Sequence, residues 1–344
     1  MRVVVVGASG NVGTAVLRRL VGDPTILEVT GVARRIPTAA PPPPYSVARW
    51  VACDIGAPGP DRPVVDRLAG LMTGADAVVH LAWAIQPSHD RTRLRRTNFD
   101  GTRRVVEAVA QAGVPHLVVA SSVGAYSPAP DDVPRTEVWS TEGVRSSSYS
   151  VDKAACEQLL DEAEERFPTL ALARVRPALV FQRLAGSEIG RLFLGPLVPR
   201  SLLAGRLPIL PWPSGLRLQA VHADDLADAY REVVVRQARG PFNIAAPGVL
   251  RAPEVAAAVA RGRYRDVSPT VVRSALAIAW RARAVAVGPG WLDMATHAPL
   301  LDTGRSEREL DFRPRWSADG AMRELVAGLA LGAGTASPPL RPGR

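Results

Sequence analysis

VVVVGASGNVG, residues 3–13, is the most diagnostic stretch of this chain. Arg2 to Val6 reads as a short buried strand, and the residues from Asn11 to Val21 run at helical spacing. Gly7, Gly10 and Gly13 lie in the turn between them. Glycines at such a turn permit the tight bend, let the backbone approach a pyrophosphate, and allow helix and strand to pack closely. The helix N-terminus then presents oriented N–H groups to the anion. A glycine motif wedged between strand and helix signals a dinucleotide site far better than the same glycines alone.

The flanking elements extend this pattern. A second strand, Glu28 to Ala33, ends in A-R-R. An NAD-type site usually places an acid there to hold the adenosine ribose, whereas Ala33 is followed by Arg34 and Arg35, which can clasp a 2′-phosphate. NADP is therefore the expected cofactor, with NAD as second choice. Residues 36–46 contain four successive prolines, a stiff connector. Arg49 to Cys53 reads as the third strand, with Asp54 at its end placed to reach the adenine amine. Ala77 to His80 is the fourth, running into Leu81, Ala82 and Trp83; strand ends of an open parallel sheet line the ligand crevice, so these residues should contact the cofactor. A long helix over Thr92–Ala112 carries N-F-D-G-T (Asn98 to Thr102), and strand five, His116 to Ala120, runs into S-S-V-G-A-Y (Ser121 to Tyr126). Strand six, Leu170 to Val175, continues as R-P-A-L-V-F. The alternation predicts an α/β fold with a doubly wound, Rossmann-type parallel sheet.

Y-S-V-D-K, Tyr149 to Lys153, holds the only lysine in 344 residues. On a helix the two side chains, four residues apart, project from one face. A phenol titrates near ~10 and is a poor base at neutral pH, while a neighbouring ammonium favours the phenolate. Arginine, used everywhere else in this chain, is a planar fork that stays protonated.

Composition narrows the partners. With 47% apolar and 22% charged residues the chain can bury a large core. The formal charge of +9 is arginine excess spread along the sequence, without a basic block or interleaved aromatics. A small-molecule substrate is expected, and neither nucleic acid nor a membrane. Two cysteines and five scattered histidines offer no disulfide framework and no metal site. The N-terminal apolar run is too short for a signal peptide, so a cytoplasmic location is expected.

Taken in order, G-x-x-G-x-x-G, D-I at 54–55, H-L-A at 80–82, N-x-x-G-T, S-S-x-x-x-Y, Y-x-x-x-K, R-P-x-x-V-F and V-H-A-D-D-L-A (221–227) resemble the extended short-chain dehydrogenase/reductases, the NAD(P)-dependent epimerase/dehydratase group. The resemblance covers nearly the whole chain. It implies that Tyr149 is the general acid/base, that Lys153 holds the nicotinamide ribose and lowers the tyrosine's pKa, and that Ser122 bonds the substrate oxygen. It also implies cofactor contacts from Gly7, Ser9, Gly10, Asn11, Val12, Gly13, Ile55, Leu81, Ala82, Trp83, Asn98, Pro177 and Val180. Relatives commonly form a two-fold four-helix interface, so a homodimer is expected, with Val105, Val106, Val109, Leu159 and Leu160 as its seam.

On this reading residues 1–181, completed by about 216–246, form the NAD(P)-binding domain. Residues 182–215 and 247–331 form a smaller C-terminal α/β substrate-binding part, and 332–344 a disordered tail. Within the second part, 186–204 suggest a helix and loop, Pro208–Pro213 irregular backbone, and Val271–Ala286 a lid or core helix. Three departures from the family bear on the substrate. Val123 and Gly124 stand where 4,6-dehydratases carry an acidic pair. Leu218 replaces the arginine that often holds a sugar-nucleotide diphosphate, with Arg217 one residue off, and a second late arginine is missing around 288–293. Arg176, Arg183, Arg191 or Arg217 are the candidate substitutes.

Overall fold

The computed structural model describes residues 1–194 and 207–343. The first strand sits at the centre for a reason visible in its composition. In β1 (Arg2–Val6) four consecutive valines are each at most 3% exposed, because helices cover both faces of the sheet around them. A strand buried on both sides reads as an unbroken apolar run instead of alternating. It pairs in parallel with β2 (Glu28–Ala33) on one side and β4 (Ala77–His80) on the other. With β3 (Ala48–Ala52), β5 (His116–Ala120), β6 (Ala171–Pro177) and β10 (Gly240–Ile244) they make a seven-stranded sheet in the order β10-β6-β5-β4-β1-β2-β3. The strand order reverses between β1 and β4, which opens a crevice at their carboxyl ends.

Helix α1 (Asn11–Leu20) covers one face of this sheet with the helix Ala223–Val235. Leu17, Leu226, Tyr230 and Val233 meet there without solvent contact. The other face is covered by α2 (Arg62–Met72), by Gly101–Gln111 and by Ser148–Arg166, through Leu68, Val105, Val106, Val109 and Leu160. Four of the five residues expected to form a dimer seam are thus spent in the chain's own core, and only Leu159 stays half-buried. Each such side chain contributes about 1.5–3 kcal/mol by leaving water, so the core is the stronger claimant.

The expected long helix is broken into three parts: Arg91–Arg95, a π-helical turn over Arg96–Asp100, and Gly101–Gln111. The turn brings Asn98 inward, and the close approach that follows requires Gly101, whose added Cβ would stand 2.9 Å from Ile55 Cδ1. Two small parallel sheets follow the main one: β7 (Leu179–Phe181) with β9 (Ala220–His222), and β8 (Leu210–Pro213) with β11 (Tyr264–Val267). The P-I-L-P-W-P stretch, expected to be irregular, therefore contains a strand. Its prolines are tolerated because a two-stranded sheet leaves one edge unpaired. The helix and loop expected over 186–204 are described only as far as Leu194; the rest lies outside the described residues.

The second apolar helix, Pro269–Arg281, buries none of its residues fully and lies as a surface cover on the helix Pro289–His297. The chain end corrects a further expectation. Residues 332–343 pack instead of trailing away: Ser337 Oγ donates to the Ser9 carbonyl at 2.6 Å, Thr335 Oγ1 bonds Tyr45 Oη at 2.6 Å, and Leu340 is fully buried. Glycine and proline make this segment irregular, but its hydroxyls and one leucine find partners beside the glycine-rich turn. Among the described residues no helix is long and apolar enough to cross a membrane.

Candidate active site

The glycine-rich turn shows what it is shaped for. Gly7 has φ +93°, and a Cβ there would stand 2.5 Å from the Ala82 amide nitrogen. A Cβ on Gly13 would meet the Gly7 carbonyl at 2.5 Å. Both positions are closed to any side chain. Gly10 differs: its added Cβ would meet only the Gly7 carbonyl, at 3.5 Å, and otherwise project into the crevice. No side chain caps α1 at Gly10, so its first N–H groups stay open. A cradle that a Cβ would fill, under uncapped amides, fits the pyrophosphate of a dinucleotide.

Gly7, Ser9 and Gly10 line this cleft together with Arg34, Arg35, Asp54, Ile55, Leu81, Ala82 and Trp83. Arg34 and Arg35 are exposed, and neither makes a hydrogen bond or ion pair among the described residues. Other expected contacts are placed differently. Asn11 accepts from Gln182 Nε2 through its Oδ1 and its carbonyl, at 2.5 and 3.0 Å, and Val12 packs on the core. Asn98 is committed to Ala84, accepting from its N–H at 2.7 Å and donating to its carbonyl at 3.3 Å, so it shapes the loop over the cleft. Pro177 is buried at the end of β6 and Val180 pairs with Val221 in β7; neither lines the cleft. Sequence reasoning missed Thr97, Glu188 and Pro339 on the cleft wall. Burial raises the Glu188 carboxyl to about 7 despite Arg191 and Arg35 nearby. The packed chain end delivers Pro339, and no local pattern marks either residue.

Tyr149 lies in the first turn of Ser148–Arg166, and the start of that helix is tied to the turn after β5. Ser150, fully buried, accepts from the Val144 N–H at 2.7 Å and donates to the Gly124 carbonyl. Ser122 accepts from the Gly124 N–H at 3.0 Å, and its hydroxyl neighbours that of Tyr149. Burial pushes that phenol up to about 12, and the neighbouring Ser122 hydroxyl lowers it only in part. Lys153 is 3% exposed, and burial pulls its ammonium down to about 8. Its Nζ donates to the Ala120 carbonyl at 2.7 Å and lies 3.5 Å from the Trp83 ring centre, but 6.0 Å from that of Tyr149. Burial, and not Lys153, dominates the tyrosine's pKa here.

Beneath these groups lies a buried ionic network. Glu157, two turns beyond Tyr149 on the same helix, accepts from Ser121 Oγ at 2.5 Å and takes a two-pronged contact from Arg176 at 2.9 and 2.8 Å. Burial raises its pKa, but the Arg176 and Ser121 bonds outweigh that, leaving the carboxyl below its ordinary value. Arg176 also donates to Tyr126 Oη at 3.0 Å, which in turn donates to Asn243 at 2.6 Å. His80 bonds Thr102 at 3.0 Å, and burial depresses its pKa to about 3, so it stays neutral.

Of the four arginines named as substitutes for a diphosphate clamp, three are held at short range and Arg183, half-exposed, only by a long contact. Arg176 is held by Glu157. Arg217, 4% exposed, gives its guanidinium to the carbonyls of Ala129 and Asp131 and to Asp132 at 3.2 Å. Arg191 bonds Ser187 and the carbonyls of Pro339 and Arg341, and Arg183 pairs with Glu324 at 3.9 Å. At Gly124 a Cβ would stand 2.9 Å from both Met294 Sδ and Tyr149 Cε1, so an acidic side chain does not fit there without displacing the tyrosine ring or Met294.

A doubly wound sheet with an uncapped glycine turn at its switch point defines a dinucleotide-binding Rossmann protein. The model of the NAD dependent epimerase/dehydratase family matches residues 3–245, and the chain belongs to that family. An uncharacterised protein of Mycobacterium tuberculosis, Rv2047c, is 30% identical over 99% of this chain and 32% of its own length. The chain thus spans about a third of the length of the first curated relatives it matches. A second protein of the same organism, Rv0501, is 26% identical over 96% of this chain and 84% of its own length. Among solved structures, UDP-glucose 4-epimerase of Thermus thermophilus in complex with NAD superposes with a TM-score of 0.68 at 19% identity, covering 96% of this chain and 99% of that one. DesIV, a dTDP-glucose 4,6-dehydratase of Streptomyces venezuelae, gives 0.67 at 22%, covering 95% and 96%. At such identities the likeness establishes the fold.

Proposed function

We propose that this protein is an oxidoreductase moving a hydride between NADP, with NAD as second choice, and the carbon of a secondary alcohol or ketone that bears no nucleotide. One observation carries the reading: Tyr149, beside Ser122 and one turn before the only lysine, stands next to a dinucleotide-shaped cleft. When bound, the nicotinamide supplies or takes the hydride. Backbone N–H groups at 7–13 would hold the pyrophosphate, Arg34 and Arg35 the 2′-phosphate, Asp54 the adenine amine and Lys153 the ribose. Ser122 positions the substrate oxygen, and Tyr149 gives it a proton. A phenol near 12 is protonated at neutral pH, which suits the reductive direction. The committed arginines argue against a sugar-nucleotide diphosphate, and the crowded Gly124 against dehydration.

Family membership supports a second reading, an epimerase whose retained cofactor oxidises and re-reduces one carbon. Net cofactor consumption separates the two. The test of the proposal is Tyr149→Phe, which keeps the ring and removes the proton: turnover should fall by roughly 10²–10⁴ while cofactor binding persists. Wild-type turnover in that variant places the chemistry elsewhere. A homodimer remains part of the proposal only through surfaces other than the buried seam. A single monomeric species in sedimentation at micromolar concentration removes it.

A further inference from the structure

A second cavity, of about 340 Å³, opens on Tyr149 from the side away from the glycine turn. It shares Ala84, Ile85 and Gln86 with the cofactor cleft, so a carbon held in it can face the nicotinamide end of that cleft. Rings and aliphatic groups share its walls with uncharged polar side chains, among them Gln86, Ser88, Ser146 and Ser148. Trp291 lies 5.0 Å from the Tyr149 ring, tilted by 37°, and Phe193 stands edge-on behind Trp291 at 5.2 Å. Across the cavity His89 stacks on Trp280 at 3.9 Å and 14°, joining the loop after β4 to the surface helix Pro269–Arg281 as a cover. Apart from that histidine, Arg91 and Asp152 are the only ionisable groups on the wall besides Tyr149, and they neutralise each other through bonds of 2.8 and 3.2 Å. No uncommitted cation meets a ligand there among the described residues.

We propose that this cavity takes an uncharged, flat compound whose carbonyl or secondary alcohol carbon is attached to an aromatic or conjugated ring. The inference rests on the reaction proposed above and assigns its substrate class. The ring lies against Trp291, where offset or edge-on contact adds to simple burial, and the oxygen reaches Tyr149 and Ser122. In the reductive direction the carbonyl carbon gains a hydride from the reduced nicotinamide dinucleotide. The oxygen gains the Tyr149 proton, and a secondary alcohol and the oxidised cofactor leave. A phosphate-bearing substrate would bring negative charge into this cavity with no uncommitted cation among the described residues to meet it, and this is costly.

The test uses the cofactor-loaded protein and three probes: 2-acetylnaphthalene, cyclohexyl methyl ketone and UDP-glucose. Binding is read by tryptophan quenching or calorimetry, and turnover by loss of the reduced cofactor's absorbance. We expect 2-acetylnaphthalene to bind at least several-fold more tightly than the other two. Trp291→Leu, which keeps an apolar side chain and removes the ring, should weaken it about three- to ten-fold, leaving cyclohexyl methyl ketone nearly unaffected. UDP-glucose binding as tightly as the aryl ketone, or equal losses for both ketones in Trp291→Leu, overturns the inference. Failure of 2-acetylnaphthalene to bind overturns it as well. Selective binding without any turnover supports the substrate class and sinks the proposed reaction, so the two claims fail separately.

Discussion

Replacing the single lysine should make the cofactor-free protein more stable. Lys153 has its pKa depressed from 10.5 to about 8 by burial. Each pKa unit is worth about 1.4 kcal/mol, so holding the ammonium in the folded state at neutral pH costs about 3 kcal/mol relative to the unfolded chain. The sign follows from proton counting. Between about pH 8 and 10.5 the unfolded chain binds the proton and the folded protein does not, so stability rises with pH in that window; below about 8 the cost is present in full. Lys153→Met keeps a chain of similar length beside Trp83 and removes the charge, at the loss of the bond to the Ala120 carbonyl. Urea unfolding of both proteins without cofactor, at pH 7 and pH 10, measures the difference. The variant should be more stable by about 1–3 kcal/mol at pH 7, and the gap should close toward pH 10. A gap that does not change with pH, or a wild type more stable at pH 7, refutes the argument. The same variant should lose turnover, since the ribose contact and the charge beside Tyr149 go together.

Further outcomes can be measured directly. Replacing Arg34 and Arg35 with alanine should weaken NADP by roughly ten-fold or more and NAD much less, since exposed charge-assisted contacts to a 2′-phosphate are modest; fluorescence titration of both cofactors checks this, and equal losses would contradict it. Deprotonation of Glu188, with a pKa of about 7 on the cleft wall, adds negative charge beside an anionic cofactor, so affinity should fall as pH rises through 7. Glu188→Gln should remove that step, as a calorimetric pH series would reveal. Gly10→Val should fold normally, because its side chain has room, yet lose most cofactor affinity by filling the cradle.

The Rossmann sheet was legible because its signals are local. Four valines, a glycine turn and a helical run fix β1 and α1 within twenty residues, and the later strands repeat the pattern. The proposed catalytic pair stood out for the same reason, since Tyr149 and Lys153 share one helix face. What the sequence concealed depends on contacts between distant residues. Ser337 reaches Ser9 across 328 positions, so nothing in a Gly- and Pro-rich tail announces a packed segment. The strand at Leu210–Pro213 forms only because Tyr264–Val267 comes alongside it. The apolar positions 105, 106, 109 and 160 fit a dimer seam and an internal core equally well by spacing, and only the packed chain distinguishes them.

The electrostatics of the site explain why one lysine survives among so many arginines. The other basic positions can be served by a guanidinium fork: Arg174 and Arg176 share Glu157, Arg104 spans Asp61 and the Ile55 carbonyl, and Arg231 grips Asp23. Each has a carboxylate partner that offsets the desolvation of its charge. Position 153 has no such carboxylate in bonding contact; its ammonium meets one carbonyl and the face of one indole, in a space only 3% open to solvent. A longer planar fork would need room for two more nitrogens and acceptors for their N–H groups. An ammonium also has two donors left over after Ala120. Burial lowers its pKa to about 8, which leaves it charged at neutral pH by a margin of only about one unit. On the proposed function, an anionic cofactor in the adjoining cleft would raise that margin and so couple cofactor binding to the charge state of Lys153.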